Sequence, residues 1–152
     1  MSEEFSENAK KLMQSVEAEA RKLNHYFIGT MHVLLVLTRI KCSASLFLAN
    51  FIDLAKLAQT IEQITRTMRT GSMVPAGNNL PQTSGLKRVI KYATEEAESL
   101  GHNYVGTGCL LLGLLKEKEC LAVEILSKFG LTFEKNREKL LNFLKKQSRE
   151  EQ

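Results

Sequence analysis

The strongest constraint on the fold is an internal repeat that fills nearly the whole chain. The segment Leu23–Thr30, LNHYFIGT, returns as LGHNYVGT at Leu100–Thr107, at an offset of 77 in residue number. The same offset relates further pairs on both sides: Lys10 and Lys87, Glu19 and Glu96, Leu34 and Leu111, Leu37 and Leu114, Leu54 and Leu131. A repeat of this length without a gap predicts a duplicated structural unit, and therefore two similar halves related by a pseudo-twofold axis.

Each half begins with apolar residues spaced by three and four, the pattern of an amphipathic helix. Ser6 is a suitable cap for the first helix, which ends before Asn24. Its counterpart begins at Thr83 or Ser84 and ends before Gly101. Asn and Gly tolerate left-handed backbone, so both helices are predicted to end in the same way.

The second helix of each half is almost wholly apolar, over 31–40 and over 108–116. A helix that is apolar on every side belongs at the centre of a bundle. A Gly-Thr pair precedes each of these helices, and the hydroxyls of Thr30 and Thr107 are predicted to cap them.

Two shorter segments complete each half. A third helix is predicted around 45–51 and around 121–128, and Asp53 and Thr132 are predicted to cap a fourth. The apolar spacing nowhere settles into the alternation of a strand. The predicted fold class is therefore all-α, with two tandem four-helix repeats and pseudo-twofold symmetry.

The segment 70–82 contains both prolines of the chain and two glycines, which is typical of a linker or a long surface loop. It gives the predicted organisation of a single domain over 1–152: repeat 1 at about 5–69, the linker at 70–82, and repeat 2 at about 83–147.

The composition places the chain in a reducing compartment. Its three cysteines are an odd number without a CxxC spacing, which favours free thiols over disulfides or a zinc site. The acidic N-terminus resembles neither a secretory signal nor a transit peptide, and no apolar run approaches the ~20 residues that span a bilayer. We expect a soluble, cytoplasmic protein that does not enter membranes.

The net charge of +4 is modest, and basic residues alternate with acidic ones. The C-terminal end is enriched in Lys and Arg, but four glutamates lie among them. A nucleic-acid footprint needs an unopposed basic patch, so the pattern favours a solvated helix face and no nucleic-acid partner.

Two helical halves, each with Leu-x-His-x-x-[Ile/Val]-Gly-Thr ahead of a leucine-rich helix, resemble the Clp N-terminal repeat domain. The resemblance implies a non-catalytic module that docks protein substrates or adaptors for an ATP-dependent Clp unfoldase or protease. Such modules stand at the front of ClpA- and ClpC-type AAA+ unfoldases and also occur as free-standing accessory proteins. The chain has no Gly-x-x-x-x-Gly-Lys-[Ser/Thr] phosphate loop. It is either the front of a longer ATPase or an accessory protein that docks on the protease complex.

The sequence departs from the family at the residues after Gly-Thr. ClpC-type domains typically have Glu-His there in both halves, and those glutamates resemble sites that grip phosphorylated arginine. Here the residues are Met31-His32 and Gly108-Cys109. A guanidinium needs a charged planar acceptor, so no phosphoarginine recognition is expected. The substitution Gly108→Glu is expected to be tolerated by the fold. The candidate protein-binding residues are Tyr26, Thr30, Met31, His32, Thr107 and Gly108.

Other chemistry has little support in the residues. His25 and His102 are predicted to tether their loops rather than to bind a metal, and we expect no cofactor. Two further hypotheses are a cysteine-dependent hydrolase or thiol sensor built on Cys109, and a basic helical nucleic-acid binder. No catalytic residue is predicted.

Overall fold

A computed structural model describes residues 5–68 and 80–147 of the chain. The helices of this part are α1 (Glu7–Lys22), α2 (Thr30–Arg39), α3 (Ser43–Ala49), α4 (Leu54–Thr67), α5 (Ser84–Ser99), α6 (Thr107–Lys116), α7 (Leu121–Lys128) and α8 (Phe133–Gln147). The described residues contain no named strand and only isolated backbone bridges. The predicted all-α fold class is confirmed. Most of the predicted linker, 70–79, lies outside the described residues.

The starts and ends of α1 and α5 follow the sequence signals. The Ser6 hydroxyl accepts from the backbone N–H of Ala9 at 3.1 Å, and the Thr83 hydroxyl accepts from that of Leu86 at 3.1 Å. Each bond satisfies one of the N–H groups that a helix leaves without a partner in its first turn. After these helices, Asn24 and Gly101 have φ of 61° and 77°, as predicted for left-handed C-terminal positions.

The repeat is not free of gaps along its whole length, which corrects the sequence alignment. The starts of α1 and α5 differ by an offset of 77, and so do those of α2 and α6. However, the offset is 78 between the starts of α3 and α7, and 79 between those of α4 and α8. The turn before α7 is therefore one residue longer than the turn before α3, and α7 is itself one residue longer than α3. Leu54 and Leu131 are consequently not equivalent: Leu54 is partly buried at the start of α4, whereas Leu131 is buried before α8.

The two apolar helices, α2 and α6, form the centre of the bundle. Every residue of α2 from Thr30 to Leu37 is buried, and so is every residue of α6 from Thr107 to Leu115. Helix α2 packs on α1 and α4, and α6 packs on α5 and α8. Among the described residues, no single helix has the length and apolar character to cross a bilayer; α2 and α3 pass together by length and composition alone, with a 76° bend between them.

The halves are joined by hydrogen bonds that are exchanged across the pseudo-twofold axis. The backbone N–H of Ser6, before α1, donates to the carbonyl of Val105, before α6, at 2.9 Å. In the equivalent pair, the N–H of Thr83 donates to the carbonyl of Ile28 at 2.9 Å. Each half therefore begins on the loop that leads into the other half's central helix.

Gly113 sets the distance between α5 and α6. A Cβ at this position would lie 2.4 Å from the carbonyl oxygen of Val89, which belongs to the α5 backbone. Such a contact requires the two helices to move apart, because a backbone atom cannot turn away as a side-chain end can. The equivalent residue in α2 is Val36, so the first half lacks this close approach.

We expect Gly113→Ala to destabilise the protein by about 3 kcal/mol, since overpacking against backbone costs more than the gain in helix propensity. Urea unfolding followed by circular dichroism measures the effect. Gly85→Ala in α5 is the matched control, because its added Cβ would meet nothing closer than 3.9 Å. The control should unfold at the wild-type midpoint or above it. Equal midpoints for Gly113→Ala and wild type would contradict the close packing.

Candidate functional site

The structure places the six candidate binding residues in two different environments. Five are buried at the two Gly-Thr corners, which are the turns into α2 and α6: Thr30, Met31, His32, Thr107 and Gly108. Only Tyr26 is exposed, with 46% of its surface accessible and its ring edge-to-face with Phe27 at 5.6 Å. The five buried residues shape the corners from inside. Of the six candidates, Tyr26 is the one that a large partner can contact directly.

The first corner contains a buried pair of histidines. The backbone N–H of Gly29 donates to His32 Nδ1 at 2.9 Å, so the neutral His32 ring carries its proton on Nε2. His32 Nε2 lies 2.7 Å from His25 Nδ1, which therefore accepts. The remaining nitrogen, His25 Nε2, is buried beside the backbone of Thr65 and has no hydrogen-bond partner at ordinary geometry. The hydrogen bonds thus assign the neutral tautomer of both rings.

Both imidazoles are held in the neutral form. Burial, and to a lesser extent repulsion by a protonated His25, together lower the pKa of His32 to about 4. Burial also lowers the pKa of His25, against the weaker opposite effect of the Thr65 backbone beside its ring. The His25 ring stacks on Phe27 with centroids 5.5 Å apart. His25 therefore tethers its loop as predicted, but through the other imidazole rather than through a clear bond to a carbonyl.

His102, the repeat counterpart of His25, lies in a different setting. It is half-buried and stacks on Tyr104 with centroids 4.8 Å apart. The residue equivalent to His32 is Cys109, so no second histidine is available to it. The two loop histidines were predicted to be equivalent, but their surroundings differ. The corresponding helix residue is His32 in the first half and Cys109 in the second.

The second corner is filled by a leucine from α8. A Cβ on Gly108 would lie 2.3 Å from Leu144 Cδ2, 2.8 Å from Cδ1 and 3.0 Å from Cγ. Leu144 therefore occupies the space that a longer residue at position 108 would need. The expectation that Gly108→Glu is tolerated is therefore wrong. Leu144 is itself buried and would have to leave its place in the core.

The threonines do not cap their own helices, which corrects a second expectation. The N-cap positions are Gly29 and Gly106, and neither helix has a side-chain cap. The Thr107 hydroxyl instead accepts from the backbone N–H of Ala44, at the start of α3 in the other half, at 3.3 Å. The Thr30 hydroxyl lies beside the sulfur of Cys120, the residue that precedes α7. Both threonines thus fasten the opposite half.

The thiols have the environment of core residues. Cys42, Cys109 and Cys120 are free and buried. Burial raises the pKa of the Cys109 thiol to about 11 and also raises that of Cys120, so both are protonated near neutral pH. Cys109 and His102 line the same pocket of about 40 Å³. Residues 5–68 and 80–147 contain no group of three or more His, Cys, Asp or Glu that could hold a metal ion.

A larger groove, of about 470 Å³, lies on the outer side of α1. Its apolar wall includes Phe5, Met13, Ile28 and Leu80, and Glu17 and Arg21 form an ion pair at its edge. The groove is open to solvent, unlike the two corners. It joins residues from both halves, because Ile28 and the segment before α5 are bonded to each other.

Two features of the surface and core were not predicted from the sequence. The His25–His32 pair was missed because the two residues lie in different elements, although their separation of seven residues across a tight turn is a usable signal. The exposed apolar residues Leu46, Phe51 and Leu121 were also missed. Periodicity identifies the buried face of a helix but gives no sign when an apolar residue lies outside it.

The arrangement of two four-helix halves around buried Gly-Thr corners has a match among known proteins. The family model for the Clp repeat (R) N-terminal domain matches residues 4–129 and again residues 95–152 of the sequence. The chain belongs to the Clp repeat N-terminal domain family.

Sequence relatives in this family are much longer than the chain. A ClpA homolog of Guillardia theta, an ATP-dependent Clp protease ATP-binding subunit, is 36% identical over 146 residues, which are 95% of this chain and 17% of the relative. ClpC/MecB of Bacillus subtilis, a negative regulator of genetic competence, is 34% identical over 146 residues, 92% of this chain and 17% of the relative. The chain thus corresponds to a small part of each relative.

Solved Clp N-domains share the fold at lower sequence identity. The N-terminal domain of ClpD from Arabidopsis thaliana superposes with a TM-score of 0.71 at 23% identity, covering 93% of this chain and 94% of that one. A ClpV N-domain in complex with a VipB peptide gives a TM-score of 0.68 at 15% identity, covering 92% and 88%. The double helical repeat of this chain is the Clp N-domain fold.

The buried histidine pair predicts a pH-dependent stability. Between pH 6.5 and about 4 an unfolded His32 binds a proton that the folded one does not, so the folded state loses stability as the pH falls through this range. We expect a loss of about 3 kcal/mol from His32, with a contribution of the same sign from His25. Urea unfolding at several pH values between 7.5 and 4.5 measures it.

The test compares wild type with His32→Asn, whose side-chain oxygen can still accept from Gly29. This variant should lose much of the pH dependence, even if it is less stable at pH 7.5. His102→Asn is the control for removal of one histidine and should keep the wild-type dependence. The histidine pair is not responsible if His32→Asn shows the same loss of stability on acidification as wild type.

The buried thiols predict slow modification. We expect a water-soluble disulfide reagent to leave all three cysteines unmodified in the native protein at pH 8 and to label them as urea unfolds the chain, because they are buried and Cys109 stays protonated. Ser127→Cys, exposed on α7, supplies an accessible thiol as a positive control. Rapid labelling of one native cysteine would revive the thiol hypothesis.

Proposed function

We propose that this chain is a non-catalytic docking module that binds protein substrates or adaptors for an ATP-dependent Clp unfoldase or protease. The observation that carries the proposal is the complete double-repeat Clp N-domain fold, with family membership over residues 4–129. The ClpV N-domain structure holds a VipB peptide, which shows a peptide bound by a domain of the same fold. Residues 1–152 would act as a single module.

Binding by this module does not depend on phosphorylated arginine. Met31 is buried and uncharged, and Leu144 fills the space beside Gly108, so neither corner offers a carboxylate to a guanidinium. Because the corners are closed, the proposed binding residues act in two ways. Thr30, Met31, His32, Thr107 and Gly108 hold the corners in shape, and Tyr26 is available for contact with the partner.

The alternative within the same class is a free-standing accessory protein that docks on the Clp protease complex in trans. The chain corresponds to 17% of its ATPase relatives, and the same fold suits either role. A thiol enzyme is disfavoured by the buried, protonated Cys109. Three free cysteines support a reducing compartment such as the cytoplasm.

The proposal is tested by grafting. We expect a chimera that carries this chain in place of the N-domain of a ClpC-type ATPase to degrade an unfolded model protein faster than the N-domain-deleted ATPase, when both are assembled with the protease and ATP. The reason is that a docking module raises the local concentration of substrate at the pore. The rate of ATP-dependent proteolysis is the measurement.

The control is a fusion of an unrelated folded domain of similar size, which should give the rate of the deleted ATPase. The free chain added in trans tests the accessory role, since it should co-sediment with the protease complex if that role is correct. The docking function is refuted if the chimera is no faster than the control and the free chain does not associate with the complex.

A further inference from the structure

Two of the exposed large apolar side chains of the described structure are close in the chain, one on α3 and one in the turn after it. Leu46 is 39% exposed and Phe51 is 48% exposed. The other two are separated from this pair along the chain, Tyr26 in the loop before α2 and Leu121 at the start of α7. Adjacent apolar side chains at a protein surface indicate contact with a partner more strongly than single ones do.

The C-terminal end of α3 and the turn after it pack against α8. The ring of Phe51 lies 5.0 Å from that of Phe47, which lies 5.6 Å from that of Phe143 on α8. The two helices run in opposite directions, because Ser43 at the start of α3 bonds to Gln147 at the end of α8 at 3.1 Å. The result is a row of three aromatic rings across the boundary between the halves.

Lysines lie on the α8 side of this aromatic row. Lys139 Nζ lies 5.6 Å from the centre of the Phe51 ring. Lys135 and Lys146 are four residues before and seven residues after Lys139, so all three share one face of α8. All three are exposed, and none forms an ion pair within the described residues. We name Leu46, Phe51, Phe143, Lys135, Lys139 and Lys146 the α3–α8 surface.

The carboxylates of α8 are directed elsewhere. Glu134 pairs with Lys118, in the loop before α7, at 3.7 Å. Glu138 pairs with Arg137 at 3.3 Å, next to the buried Glu96 that Arg137 also holds. The acidic side chains of this helix therefore do not neutralise the lysines beside the aromatic row, and the α3–α8 surface is both apolar and positively charged.

The other half provides an internal comparison. By the offsets of 78 for the third helices and 79 for the fourth, the residues equivalent to Leu46, Lys139 and Lys146 are Glu124, Thr60 and Thr67. Phe51 and Lys135 have like counterparts in Phe129 and Lys56. Leu46, Lys139 and Lys146 are not repeated, and an acid replaces the exposed leucine. Since the same fold is built without these side chains in the other half, folding does not require them. Their presence in one half alone points to binding.

We infer that the α3–α8 surface is a docking site for an acidic amphipathic helix of a partner protein. A third helix can pack against two antiparallel helices, and its apolar face would cover Leu46, Phe51 and Phe143. Carboxylates on the flank of that helix would pair with Lys135, Lys139 and Lys146. The inference rests on the proposed function only in that the partner is a protein.

The experiment uses the full chain and a fluorescein-labelled peptide made of Glu, Ala and Leu, with leucines at intervals of three and four residues. We expect fluorescence anisotropy to show binding that weakens as salt is added, and no binding of the same peptide with Lys in place of every Glu. Lys139→Glu and Phe51→Ser should each raise the Kd by about tenfold.

Two matched controls test the location. Lys128→Glu makes the same change of charge on α7, and Leu121→Ser makes a similar loss of exposed apolar surface there. Both should keep the wild-type Kd. The inference fails if the acidic peptide does not bind, if the Lys peptide binds equally well, or if the α7 variants weaken binding as much as the α3 and α8 variants do.

Anionic lipid vesicles and the grafted ATPase separate the remaining outcomes. Binding to phosphatidylserine vesicles in preference to the peptide would overturn the inference in favour of a membrane surface. If the chimera degrades substrate and its Phe51→Ser and Lys139→Glu forms do so equally, the docking function stands and this surface is wrong. If the peptide binds here but the chimera gains no activity, the surface stands and the Clp function is wrong.

Discussion

The fold depends on burying two helices that have no polar face. Helix α2 and helix α6 are each too apolar to meet water on any side, so four helices of a single repeat cannot cover one of them completely. The remaining cover comes from the other half, through packing of α3 on α6 and of α7 on α2. The exchanged backbone bonds at Ser6 and Thr83 and the hydroxyls of Thr30 and Thr107 hold this arrangement together. Each central helix is therefore covered by helices of both halves.

The same constraint closes the corners at which the resemblance to ClpC-type domains implies charged ligands. One corner is filled from within its own half by His25 and His32, and the other by Leu144 of α8. The first corner is filled by imidazole rings and the second by an aliphatic side chain, so the two corners differ chemically. With both corners closed, recognition is left to the outer surface, where the two repeats differ in charge. Leu46 and Lys139 have no counterparts in the other half.

Much of the fold follows from local signals. The caps at Ser6, Thr83 and Asp53 and the left-handed positions at Asn24 and Gly101 act within a few residues, so the printed sequence is enough to identify them. The errors lie where the partner of a residue is distant in the chain. Thr107 looked like a cap because its partner, Ala44, belongs to the other half. Gly108 looked permissive because Leu144 lies two helices further along the chain.

The sequence by itself determined that this protein is an all-α double repeat, because helix periodicity, caps and the repeat offset are properties of neighbouring residues and of their order. The Clp N-domain family was indicated by the resemblance of the duplicated Leu-x-His-x-x-[Ile/Val]-Gly-Thr motif. The sequence also determined which carboxylates are missing from the corners. Only the tertiary structure decided what fills those corners and which side chains remain at the surface. Filling and exposure depend on how helices that are separated in the chain approach one another. That approach is set by contacts such as Gly113 on Val89 within the second half and Thr107 on Ala44 between the halves.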